Sequence, residues 1–146
     1  MVDLKECMDK AAAEVGVKFK GLLFQKAHIK NGVGSLTKDI LGWDYVYRTV
    51  EGVCYKFYRA EPPLIGMTLP VPVVCPLGIR VFDSYKVDFK EAIEIFHKQF
   101  HEKMFTAMIL SWVLVPGCEE PFWHIKSITG EEIAIGANTS HFLKQE

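Results

Sequence analysis

Apolar residues recur at Leu4, Cys7, Met8, Ala11, Ala12 and Val15. Steps of three and four residues place all six on one face of a helix, with Asp3 as its N-cap and Gly16 as its stop. The signature returns in the second half, where Val87-Asp88-Phe89-Lys90-Glu91 echoes Val2-Asp3-Leu4-Lys5-Glu6. Phe89, Ala92, Ile93, Phe96 and Phe100 then trace a second apolar stripe behind a capping Asp88. Each predicted helix is followed by an extended stretch rich in β-branched and aromatic residues, 17–29 in the first half and 103–115 in the second. A Trp and a hairpin pattern come next in both. Two alternating runs, starting at Trp43 and Val53, meet at Gly52; runs 123–128 and 132–137 flank Thr129-Gly130-Glu131. The pattern predicts an α+β domain over residues 1–146, made of two tandem α-β-β-β units with antiparallel sheets, pseudo-repeats 1–58 and 87–146.

Residues 59–86 between them combine Pro62, Pro63, Pro70, Pro72 and Pro76 with Leu64, Ile65, Met67, Leu69, Val71, Val73 and Val74. The prolines exclude a helix and remove ladder donors, while the apolar content is wrong for a flexible linker. An extended crossover packed over one or both halves is expected, with a short strand at 79–82. Strict alternation puts Phe105, Ala107, Ile109 and Val113 on one side of a strand and Met104, Met108, Leu110, Trp112 and Leu114 on the other. Both sides of that strand ask for cover, from the other half, the crossover or a second copy in a homodimer.

The second half resembles a known family. Asp88-Phe89-Lys90-Glu91-Ala92-Ile93 opening a helix, then Pro121-Phe122-Trp123-His124-Ile125-Lys126, a Gly130 turn, and Ile133-Ala134-Ile135-Gly136-Ala137-Asn138-Thr139-Ser140 resemble the small PepSY domain. The likeness extends more faintly to residues 2–58. Gly136 stands where that family carries an Asp, and Ser140 where it carries a Gly. The resemblance implies a non-catalytic module, often a regulatory or inhibitory partner of peptidases and mostly exported.

Composition narrows the function classes. With 146 residues, 49% of them hydrophobic, the chain can bury one core without a disulfide or metal. Lys+Arg 17 against Asp+Glu 18, with no basic run, lacks the footprint of a nucleic-acid binder. The apolar stretch 104–116 is too short for a spanning helix, so no membrane partner is expected. The amino terminus carries no secretory pattern, and Cys7, Cys54, Cys75 and Cys118 form no C-x-x-C pair. Free thiols in a reducing cytoplasm follow as the expectation.

Two groups of side chains are candidates for chemistry. His97 and His101, four apart on the second helix, can offer two nitrogens to one divalent metal, with His124 or His141 as a third ligand; their alternative is a solvated helix flank. Alternation places Trp43, Tyr45 and Tyr47 on one side of a strand, with Tyr55 and Phe57 on its hairpin partner. Such a set either fills a core or lines a ligand pocket or interface. There is no G-x-S-x-G elbow, P-loop or dinucleotide fingerprint, and Glu119-Glu120 and Glu131-Glu132 lie at turns. No catalytic residue and no cofactor are assigned. The sequence reads as a non-enzymatic cytoplasmic binding or protein-interaction module. The alternative is a small-molecule binder, or less readily an enzyme, with an aromatic-lined pocket between helix and curved sheet.

Overall fold

A computed structural model describes residues 2–101 and 103–145. The two apolar stripes form helices α1 (Lys5–Val15) and α2 (Phe89–Gln99). Gly16 ends α1 at φ 68°, a left-handed conformation that costs glycine little, and its N–H bonds the Ala12 carbonyl. The Asp88 carboxylate accepts a hydrogen bond from the Glu91 N–H at 3.0 Å and caps α2. At α1 the N-cap position falls on Leu4, with no side-chain cap, rather than on Asp3. Asp3 belongs instead to β1 (Val2–Asp3), which pairs with β7 (Ser84–Tyr85).

After α1 come β2 (Phe19–Ile29), β3 (Ile40–Thr49) and β4 (Cys54–Ala60); after α2 come β8 (Phe105–Val113), β9 (Phe122–Ser127) and β10 (Glu132–Gly136). With β5 (Val71–Val73) and β11 (Phe142–Gln145) they form one antiparallel sheet in the order β11-β10-β9-β8-β2-β3-β4-β5. The fold is α+β, dominated by this sheet. No helix among the described residues is long and apolar enough to cross a membrane.

Both helices share one core. Leu4, Cys7, Met8 and Ala11 from α1 and its approach, and Phe89, Ala92, Ile93 and Phe96 from α2, join a single cluster with Leu22, Tyr47, Phe57, Leu110, Trp123 and Ile135 of the sheet. On the other side of the sheet a smaller cluster, Leu23, Val46 and Cys54, lies under Val73, Cys75, Ile79 and Val81. The 59–86 segment thus contributes apolar cover to that second side. It also enters the sheet. Where β2 and β8 diverge, β6 (Ile79–Arg80) pairs with Val113 and Trp112 of β8, while Phe82 exchanges backbone hydrogen bonds of 2.8 and 3.0 Å with Leu22 of β2. The approach is close enough that a Cβ on Gly21 would sit 2.9 Å from the Phe82 carbonyl oxygen. Gly21→Ala should therefore cost about 1–3 kcal/mol of stability by overpacking against rigid backbone; an unchanged urea midpoint would show that the segment yields.

Two sequence expectations are corrected. Strict alternation along β8 fails because a bulge between Phe105 and Ala107 shifts the register, so Phe105, Met108 and Leu110 all face the main core. The four cysteines are not all free: Cys54 and Cys75 form a disulfide, while Cys7 and Cys118 remain thiols. Cys54 opens β4 just past the hairpin turn and Cys75 follows β5, and the pairing of β4 with β5 brings the two together, a proximity invisible to sequence spacing.

Candidate functional site

The starts of α1 and α2 come down beside each other over the sheet and leave a cleft of about 280 Å³. Cys7 and Asp88 border it from the two helices, Gln25 and Tyr45 line it from β2 and β3, and Glu61 and Tyr85 line it from the ends of the 59–86 segment. Trp43, Arg59 and Phe89 also line it. Period-two alternation explains the floor, since Trp43 and Tyr45 both face the helices. Just past β4, Glu61 is held in place by its N–H to the Leu41 carbonyl and by Trp43, whose Nε1–H donates to Glu61 Oε2 at 3.0 Å.

Polar groups converge here. Gln25 is 3% exposed on a strand face otherwise occupied by Leu22 and Ala27, and its side-chain oxygen has no hydrogen-bond partner. Its amide interacts with the Tyr85 phenol. A buried acceptor left unpaired costs about 1–3 kcal/mol, so a donor arriving in the cleft would recover that energy. The Tyr47 hydroxyl behind it is also buried without a well-formed partner and lies beside the Cys7 thiol. Arg59 Nη2 reaches Glu6 Oε1 at 3.9 Å across the mouth.

Burial raises the Tyr45 phenol well above its usual range, with Cys7, Tyr85 and Glu61 adding to the effect and Arg59 opposing it. Burial likewise raises Tyr85, with Asp88 and Glu61 as further causes. Both phenols therefore stay neutral at physiological pH and serve as hydrogen-bonding groups, not as bases.

The predicted aromatic set divides. Trp43 and Tyr45 line the cleft. Tyr47 and Phe57 are fully buried behind them, their rings 5.4 Å apart in a stack that continues to Tyr45. Tyr55 packs edge-on against Phe19 at 5.9 Å, away from the cleft. Gln25, Arg59, Glu61 and Tyr85 went unmarked in the sequence. The one local signal was Gln25, a polar residue at a position of β2 where the pattern asks for an apolar one.

The histidine pair is not brought together as a helical i, i+4 pair. α2 ends at Gln99, and Phe100 is already extended, so His101 lies beyond the helix. His97 instead engages Lys103: its Nε2 lies 3.2 Å from the Lys103 carbonyl, and the Lys103 ammonium donates to the His97 carbonyl. His124 sits half-buried on β9, where desolvation lowers its pKa against the opposing charge of Glu132. Among the described residues no group of three or more His, Cys, Asp or Glu side chains is placed to hold a metal ion.

A larger groove of about 550 Å³ runs along the flank of α1. In its polar lining Lys5, Asp9, Lys18, Lys20 and Asp83 are exposed and Ser84 is half-buried. The smaller cleft is the better candidate because its lining includes buried polar side chains, Gln25 and Tyr85. Compared with known proteins, the chain matches no family model, no curated protein and no solved structure.

Proposed function

We propose that this protein is a non-catalytic binding module that holds a small molecule in the cleft between the two helix starts. The observation that carries this reading is the unpartnered Gln25 oxygen on the cleft floor, ringed by Tyr45, Tyr85 and Glu61. Pockets for small molecules combine an aromatic lining with a few convergent polar groups, and this one does. No histidine lines it, and one oxygen of Glu61 is engaged by Trp43, which speaks for binding over acid–base catalysis.

In this reading the two helix-plus-three-strand runs are equivalent tandem units, and residues 59–86 are the crossover that joins and braces them. The antiparallel pairing of β2 with β8, the first strands of the two runs, supports it, because a two-fold relation between units would set those strands side by side. Kinship of the second unit with PepSY domains belongs to the same proposal. Ser140, where that family carries Gly, takes φ 65°, a conformation that suits glycine. The Cys54–Cys75 disulfide favours an oxidising compartment, so the cytoplasmic expectation loses the support it drew from free thiols.

A second reading, association through the sheet, rests on a different surface. Val113, Val115, Phe122 and Leu143 line an open apolar groove on the second half, where Leu143 is 63% exposed.

The test of the main reading is a thermal-shift and tryptophan-fluorescence screen with small amines, carboxylates, amino acids and sugars at about 1 mM, a concentration that registers weak complexes. At least one class should raise the melting midpoint and change the emission, and a folded Gln25→Leu should weaken both effects. Silence from every class would sink the proposal.

A further inference from the structure

The lining of the cleft has a chemical bias. Trp43 occupies one oxygen of Glu61, and Asp88 spends Oδ1 on the Glu91 N–H; the second oxygen of each belongs to a cleft that the unpartnered Gln25 side chain also lines. Glu6, Glu61 and Asp88 set three carboxylates against two cations, Arg59 and Lys90. Arg59 is drawn towards Glu6 at 3.9 Å, and Lys90 is exposed. Carboxylates therefore outnumber cations in the lining, where the Trp43, Tyr45 and Tyr85 rings also gather. Ring faces and carboxylates together attract a compact cation, and the Gln25 oxygen adds a demand for an N–H. An anion would meet three carboxylates and an acceptor, with Arg59 and the exposed Lys90 in its favour.

We propose that the ligand of this cleft presents a primary ammonium group, with N–H donors to Gln25 Oε1 and the carboxylates of Glu61 and Asp88 and with its alkyl part against the Trp43 and Tyr45 rings. This rests on the small-molecule reading above and specifies its chemistry. The placement that carries it is a polar side chain 97% buried, with an orphaned oxygen, in the wall of a cleft lined by three carboxylates. Burial is the main cause that raises the Tyr45 and Tyr85 phenols, and the smaller contributions of Glu61 at both and of Asp88 at Tyr85 agree with a negative field in the cleft.

The experiment uses the intact protein and three probes of similar size: butylammonium, tetramethylammonium and butyrate. Calorimetry should detect butylammonium binding, at least tenfold weaker binding of tetramethylammonium, which lacks N–H donors, and none of butyrate. Gln25→Leu and Glu61→Gln should each weaken butylammonium binding about tenfold, the loss expected for a hydrogen bond to a charged group. Glu61 is only half-buried, so Glu61→Gln keeps the test alive if Gln25→Leu does not fold. Affinity should also fall as the pH passes the probe's own ammonium pKa. Butyrate binding as tightly, or tetramethylammonium matching butylammonium, would overturn the ammonium assignment while leaving a ligand cleft. No binding by any of the three, together with a silent screen, would overturn both proposals.

Discussion

Trp43→Ala is expected to lower the unfolding free energy by about 4 kcal/mol, the range for removing a buried aromatic without full collapse of its site. Trp43 is 2% exposed and lies where the two halves meet: its ring is 5.3 Å from Phe89 of α2 and 5.5 Å from Trp123 of β9. Alanine would empty the contact between β3 and α2 and strip Glu61 of its indole donor. Trp43→Phe separates these effects. It keeps most of the ring contact and should cost about 1.5 kcal/mol or less, yet it removes the Nε1–H and releases Glu61, so butylammonium affinity should fall while the fold survives. Urea unfolding followed by far-ultraviolet circular dichroism checks the first part, and calorimetry on the Phe variant the second. A wild-type midpoint for Trp43→Ala would remove this residue from the core.

How much of this was legible in the sequence depends on the range of the interactions. The helices were, because an apolar stripe is local: Phe89, Ala92, Ile93 and Phe96 are buried behind an Asp88 cap as their spacing predicts, although the cap expected at Asp3 for α1 does not form. The Trp43 hairpin was too, since a glycine with φ 91° at position 52 and two alternating runs specify it without help from the rest of the chain. Local rules fail where a distant segment intervenes. The bulge at Phe105 lies beside a backbone pairing with Gly34, a contact no periodicity encodes. His101 misses the helix because the Phe100 backbone turns extended. The cleft was half visible: Trp43 and Tyr45 stood out by alternation, whereas Arg59 lies within β4 opposite Trp43, and Glu61 and Tyr85 arrive from the proline-rich segment, whose path is set by packing. Gln25 alone carried a readable anomaly, a buried polar side chain among apolar neighbours.

Reducing the Cys54–Cys75 disulfide should cost about 3 kcal/mol, the loop-closure entropy for a separation of this length. The bond spans 21 residues and ties β4 to the strap that covers Leu23 and Val46. Ahead of β6, which is anchored on β8, the strap has few other anchors. β5 is three residues long, and Val71, Val74 and Leu77 around it are more than half exposed. Loss of the bond should therefore act locally before it acts globally. Amide exchange should accelerate at β5, and less at β6, which keeps its pairing with β8; β9 and β10 should keep their protection. Uniform acceleration across the sheet, or an unchanged urea midpoint in reductant and in the Cys54→Ala, Cys75→Ala variant, would refute this. The cleft should be spared. Glu61 and Arg59 begin the same segment, but Glu61 is pinned by the Leu41 carbonyl and the Trp43 indole, and Arg59 lies within β4 opposite Trp43. Neither anchor runs through the disulfide, so ligand affinity and strap protection should respond to reduction independently.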